Sequence, residues 1–235
     1  MDKDIKKTPK PSGGDTAHMV IRAGLSAIPI IGGPAVEIFG AIINPPLSKR
    51  REKWIESIVD ELVILQEKVK SFSMESLSQN ESFITTITHA TQIAIRNHQK
   101  EKLEALKNIV LNVVRGNSPD EDLQLMFLDY VDTLTSWQIR FLQLFQNPRS
   151  YITKHKGSCS DISMGGINHL FKIAFPEIAN NRILYEQIIR DLYNKGLITI
   201  DHSTLHTTMT GYGIFEKRTT EIGDQFLTFI SSPKK

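Results

Sequence analysis

Asp201, His202 and His206 are the residue types of a metal or acid–base centre, and a four-residue step on a helix would put both imidazoles on one face. They lie, however, in a stretch whose β-rich runs, LITI and LHTTMT, predict strand and turn. Residues four apart on a strand are separated by about 13 Å and cannot share an ion without a bend. No metal is expected there. His89 and His98 fall among polar residues of predicted helices and read as solvated, as does the run RNHQKEK at 96–102. The chain has no glycine-rich phosphate loop followed by Lys-Ser or Lys-Thr, no G-x-S-x-G elbow and no H-E-x-x-H helix. Gly32, Gly33 and Pro34, and the pair Gly165 and Gly166, lack the strand-then-helix setting that a nucleotide loop needs. Neither enzymatic activity nor a cofactor is expected, and no small-molecule substrate is inferred. The single cysteine, Cys159, excludes an intrachain disulfide and a multi-thiolate metal site, and fits a reducing cytosol.

A basic cluster, Lys49, Arg50 and Arg51 with Lys53 and Trp54, directly follows the most apolar stretch of the chain. If Ser48 starts a helix, these cations stand in its first turn and oppose its dipole, at about 0.3–1 kcal/mol each. Anionic lipid headgroups, with Trp54 at the interface, would favour them; the competing account is a solvated surface neutralised by Glu52 and Glu56.

The apolar stretch, residues 19–47 (MVIRAGLSAIPIIGGPAVEIFGAIINPPL), reads as a helical hairpin broken at Pro29, Gly32, Gly33 and Pro34. Neither arm reaches the roughly 20 apolar residues that a bilayer span requires. A hairpin buried in a soluble core, an interfacial membrane element and a surface covered by other subunits all fit. Asp15 or Thr16 caps a first helix to about Ile28, and Pro34 opens a second that Asn44, Pro45 and Pro46 end. Arg22 and Glu37, the only charges on their arms, are expected to face each other across the hairpin, because an unpaired charge in apolar surroundings is costly. With Phe39 and the basic cluster they make up the expected membrane or assembly surface.

Beyond it, Ile55, Ile58, Val59, Leu62, Leu65 and Val69 share one face of a long amphipathic helix starting at Ser48. Residues 71–81 read as a serine-rich linker. Ser82 opens a helical stretch through Phe83, Ile84, Ile87, Ala90 and Ile93, a charged middle (96–102), and Leu103, Leu106, Ile109, Val110 and Val113 to Gly116, as one helix or two stacked ones. Ser118, Pro119 and three carboxylates mark another helix start, and Thr135 and Ser136 restart a short helix carrying Trp137, Phe141, Leu144 and Phe145. After Pro148 the composition turns polar and basic. Helices are expected over 162–175, 181–196 and 221–230, with a small antiparallel β-hairpin built from LITI and the region from LHTTMT to IFEK.

The expected fold class is therefore mainly α: a flexible leader (1–14), an N-terminal helical bundle carrying the apolar helical hairpin (15–148), a linker (149–160) and a C-terminal domain with a small β-hairpin (161–235). The chain has 235 residues, 40% of them hydrophobic and 23% charged, with a formal net charge of +2, too small by itself to argue for nucleic acid. The polar leader and proline-broken apolar run do not resemble a secretion signal, so cytoplasmic residence is expected, with peripheral placement at the inner membrane if the hairpin meets lipid.

A helix ending in LYNKGLI, a two-stranded hairpin and a closing TEIGDQFLTFI helix resemble a winged-helix domain over about 158–232. That resemblance implies a second helix able to enter the DNA major groove, presenting Arg182, Tyr185, Gln187, Arg190 and Lys195, with Lys217 and Arg218 near the wing. Residues 151–235 nevertheless hold ten Lys/Arg against eight Asp/Glu, few surplus cations for phosphates. A structural or protein-docking wing is the other reading. The whole chain also resembles a family of small bacterial helical proteins in phrases such as AGLSAIPIIGGPAVEIFGAIINPPLSKRREKW, ATQIAIRNHQKEKLEAL and LHTTMTGYGIF, a likeness that implies no mechanism.

The expected function is a non-enzymatic bacterial effector or adaptor, analogous in architecture to helical-bundle cell-death or phage-defence proteins. Its hairpin would act on membrane or in self-assembly, and its C-terminal domain would dock a protein partner. The alternative is a DNA-binding transcriptional regulator with a helical dimerisation domain.

Overall fold

The computed structural model describes residues 34–68, 74–158 and 162–233, and the side chains of 34–45, 68 and 74 fall outside that description. The described residues form eleven α-helices and one two-stranded antiparallel sheet. They group into two compact units, one running to Leu128 and taking in Ser232 and Pro233, the other Asp129–Ser231.

In the first unit, helix α1 spans Pro34–Lys68. Pro34 opens it, as its fixed φ predicts. The helix does not stop at Asn44, Pro45 and Pro46, and Ser48 is not a helix start. Proline costs about 3 kcal/mol inside a helix because it lacks a donor and crowds the carbonyl four residues back, yet its φ is a helical one. Packing of the downstream half outweighs that local penalty: Ile55, Ile58, Val59, Leu62 and Leu65 are all buried. Val69, the last member of that stripe, lies outside the described residues, as do Arg22 and the expected helix up to Ile28.

Helix α2 (Met74–Leu77) occupies part of the serine-rich linker. Helix α3 (Glu81–Arg96) follows, capped by Asn80, whose side chain accepts from the Phe83 amide at 2.9 Å. Helix α4 (Lys100–Val114) is separate from it, so the uninterrupted apolar pattern comprises two helices. Helices α1, α3 and α4 pack on one another around Ile58, Leu62, Ala90, Ile93, Leu106, Ile109 and Val110. Helix α5 (Glu121–Thr133) starts on Asp120, whose carboxylate accepts from the Leu123 amide, and not on Ser118. Among the described residues between 34 and 148 there is no strand, as the helical spacing predicted.

In the second unit, α6 (Ser136–Gln146) begins with a reciprocal capping box between Thr135 and Gln138. Helix α7 (Pro148–Lys156) fills the start of the segment read as a linker, because Asn147 caps it and Tyr151 and Ile152 are buried. The helix expected over 162–175 is shorter. Strand β1 (Met164–Gly165) precedes α8 (Asn168–Ala174), and at Gly166 a Cβ would stand 2.7 Å from the Leu205 carbonyl oxygen, so the backbones approach too closely for a continuing helix. Helix α9 (Arg182–Asn194) carries an Asn181 cap and stops at Gly196, which takes φ +69°.

The β-pairing also differs from expectation. LITI does not pair with LHTTMT: Ile198 bridges Thr219 antiparallel, and the Thr199 amide donates to the Arg218 carbonyl at 2.8 Å. LHTTMT splits into the end of a 3-10 turn, His202–His206, and strand β2 (Met209–Thr210), whose partner is β1 in the register Met164 to Thr210 and Gly165 to Met209. The carboxylate of Asp201 causes the turn by accepting from the amides of Ser203 and Thr204 at 3.0 and 3.2 Å, which withdraws that backbone from a strand ladder. Helix α10 (Gly211–Ile214) then leads to α11 (Glu221–Phe229), where Gly223 lies against the preceding chain: a Cβ there would meet the Leu197 carbonyl oxygen at 2.3 Å.

The core of this unit is aromatic. Phe141 lies 4.7 Å from Phe175 in a stacked pair and 4.8 Å from Phe171, and Phe171 reaches Tyr185 of α9 at 5.2 Å.

Candidate functional site

The fold moves the basic cluster away from any helix terminus. Lys49, Arg50 and Arg51 stand well inside α1, so the dipole penalty expected of a first turn does not arise. Lys49 and Arg50 are exposed and Arg51 is half-buried. Trp54 is 5% exposed, and its indole N–H donates to Thr91 Oγ1 of α3 at 3.0 Å. In this arrangement it is a core residue rather than an interfacial anchor. Glu52 and Glu56 are exposed, and Arg50 uses a different acceptor, the Ile95 carbonyl in the last turn of α3, at 3.3 Å. Carbonyls at a helix C-terminus lack intrahelical partners and carry negative dipole charge, so a guanidinium suits that position.

Arg50 and Trp54 line a cleft of about 420 Å³ in the first unit. One stripe of α1 supplies Arg50, Lys53, Trp54 and Ser57; α3 and the turn after it supply Ala94, Asn97 and His98; α4 supplies Leu103, Glu104 and Lys107. Several members are held. Ser57 donates to the Trp54 carbonyl at 2.7 Å, Asn97 donates through its side-chain nitrogen to the Ile93 carbonyl at 2.9 Å, and Lys107 lies 3.1 Å from Glu104 and 3.6 Å from Glu61. Sequence reading located the α1 part of this cleft and missed the rest. Only the meeting of three helices brings Asn97, His98 and Lys107 beside Arg50, and no single-helix periodicity contains that information.

Arg22, Glu37 and Phe39 complete the expected membrane or assembly surface. Arg22 and the side chains of Glu37 and Phe39 lie outside the described residues, and the proposed pairing across the hairpin with them. No helix among the described residues is long and apolar enough to cross a membrane.

On α9 and the segment after it, the second unit distributes the expected contact residues unevenly. Tyr185 is buried against Phe171. Arg182 pairs with Glu186 at 2.6 Å, Gln187 donates to Asp191 at 2.6 Å, and Lys195 stands over the Tyr130 ring at 5.3 Å. Lys217 is bound to Asp224, while Arg218 contacts Glu216 at 3.0 Å and donates to the Gly213 carbonyl at 2.8 Å. Arg190 is exposed. Most of these cations thus already have a neighbouring acceptor, which reduces what they offer a phosphate backbone.

His206 does not meet His202 at a common ion. It sits in the 3-10 turn with Nε2 at 3.1 Å from Glu186, and the Arg182 guanidinium, together with His206, holds the Glu186 carboxyl below its usual range. Among the described residues no group of three His, Cys, Asp or Glu side chains is placed to hold a metal. Sequence reading also missed four large apolar side chains left in water in this unit: Ile183 and Tyr212, each 84% exposed, Met164, 66% exposed, and Tyr193, 46% exposed. Ile183 was detectable in principle, since it lies beside Arg182 and away from the Tyr185, Ile188, Ile189 and Leu192 face of α9.

Asp224, in the first turn of α11, ties this unit together by accepting from Lys217, from Thr219 Oγ1 at 2.7 Å and from Gln146 Nε2 at 3.4 Å. Burial pushes its pKa up, but these donors outweigh burial and hold it below the ordinary aspartate value. A lowered carboxylate pKa contributes stability that is present above the unfolded-state value and is lost as pH falls through the folded-state value. Urea unfolding of the second unit should therefore lose midpoint on acidification below about pH 4. Asp224→Asn should cost about 1.5–3 kcal/mol at pH 7 and show a flatter acid limb than the parent.

Comparison of the chain with family models, curated proteins and solved structures finds no match.

Proposed function

We propose that this chain is a non-enzymatic effector or adaptor whose apolar N-terminal segment acts at a membrane surface and whose second unit docks a protein partner. The observation that carries this reading is the continuity of α1. One 35-residue helix joins the apolar sequence from Pro34 to Leu47 to the stripe that packs on α3 and α4, so the apolar segment is an extension of a core helix. The exposed Lys49 and Arg50 stand at the junction, where anionic headgroups would meet them. The second unit is read as winged-helix-like: α8, a turn, α9 and the antiparallel contact between Ile198 and Thr219 support that reading, and the exposed Ile183 and Tyr212 support a docking role over a DNA-reading one. The likeness to cell-death and phage-defence proteins is one of architecture.

Vesicle flotation and dye leakage, run beside a DNA mobility-shift assay, test the reading. The full chain should float with anionic vesicles and release dye, and Lys49→Glu should weaken flotation by about 1 kcal/mol or more, roughly fivefold. Salt-dependent DNA binding without vesicle binding would replace this reading with a transcriptional regulator. Concentration-dependent oligomers without vesicle binding would replace the membrane with self-assembly as the role of the apolar segment.

A further inference from the structure

We propose that the cleft between α1, α3 and α4 is a binding site for a mononucleotide, a small phosphate monoester with a planar body. The site rests on the geometry of the first unit alone and does not depend on the membrane reading.

Its volume of about 420 Å³ falls in the range of small-ligand sites, roughly 300–1,000 Å³. Three permanent cations line it, Arg50, Lys53 and Lys107. Two carboxylates, Glu104 of the lining and Glu61 beside it, both pair with Lys107, which leaves Arg50 and Lys53 without a carboxylate partner among the described residues and a surplus of one positive charge. A phosphate monoester carries about −1.5 to −2 near neutral pH and has oxygens enough to engage both Arg50 and Lys53. The cations are partly preorganised. Arg50 is anchored through one Nη to the Ile95 carbonyl and keeps its other N–H groups, and Lys107 is steered by Glu61 and Glu104. Lys53 is exposed and makes no ion pair with the described residues, so it is the group with most to gain from an anion.

The rest of the cleft suits a base. Trp54, fixed by its bond to Thr91, and Ala94 form an apolar floor flanked by Leu103. Asn97 spends its side-chain nitrogen on the Ile93 carbonyl, which leaves Oδ1 as an acceptor for an amino group on a ring edge. Cationic groups beside an apolar floor with one directed acceptor are the demands of a phosphate joined to a flat, partly polar ring.

Calorimetric titration of the full chain with the four nucleoside 5′-monophosphates tests the site, with adenosine, inorganic phosphate and phosphatidic-acid vesicles as separate arms. At least one nucleotide should bind saturably, about tenfold or more tighter than adenosine or phosphate alone, and should change Trp54 fluorescence in a Trp137→Phe background. Lys53→Ala should weaken binding about tenfold with an unchanged thermal melt, since that side chain is exposed, and Lys154→Ala in the second unit should leave binding unchanged. No saturable binding by any of the four nucleotides overturns the proposal. So does binding that Lys53→Ala does not weaken, inorganic phosphate binding as tightly as the nucleotides, or capture by phosphatidic-acid vesicles without nucleotide binding.

Discussion

Phe141→Ala is expected to destabilise the second unit by about 3–5 kcal/mol, the range for emptying a fully enclosed phenylalanine site. Phe141 is fully buried and stands between Phe171 and Phe175 of the segment that contains α8 on one side and Phe145 of its own helix, at 6.4 Å, on the other. Truncation removes ring contacts worth about 0.5–1.5 kcal/mol each beyond their buried area and leaves a cavity among rings that cannot all move inward at once. Urea unfolding followed by near-ultraviolet circular dichroism reads the loss. Phe141→Leu, which keeps most of the volume, should recover much of it.

Ile58→Ala should cost the first unit about 2–5 kcal/mol, because Ile58 is fully buried where α1 packs against α3 and α4. Ile64, on the same helix and 42% exposed, provides the contrast: Ile64→Ala should change stability by no more than about 0.5 kcal/mol. On the effector reading, loosening α1 also frees the apolar segment attached to it, so Ile58→Ala should release vesicle dye faster than the parent and Ile64→Ala should not. Equal leakage from all three proteins would separate the packing of α1 from membrane action.

The buried face of α1 was legible from spacing alone, and so were the apolar faces of α3 and α4, because burial on a helix leaves a periodic trace in a single segment. The helix start at Thr135 and the stop at Gly196 were legible because caps are local chemistry. The passage of α1 through Pro45 and Pro46 was not, since the rule that ends helices at proline is local and packing farther down the chain overrides it. The pairing of Met164 with Thr210 was hidden for the opposite reason. Two-residue strands far apart in sequence carry no alternation, and the Asp201 turn that redirects LHTTMT is a side-chain effect easily mistaken for a strand end. For the candidate site, the α1 residues were visible as a basic cluster, but the burial of Trp54 and the approach of Asn97 and Lys107 exist only once three helices meet.

The two prolines inside α1 also have a mechanical meaning. With no amide hydrogen at Pro45 or Pro46, the carbonyls of Ala41 and Ile42 lose the partners that an unbroken ladder would give them, two consecutive rungs in all. A helix resists bending through those rungs, so this seam is the most compliant point of a rod about 50 Å long. A sideways load on the end near Pro34 is therefore taken up as flexure at the seam, and only the remainder arrives as torque on the buried stripe that begins at Trp54 and Ile55.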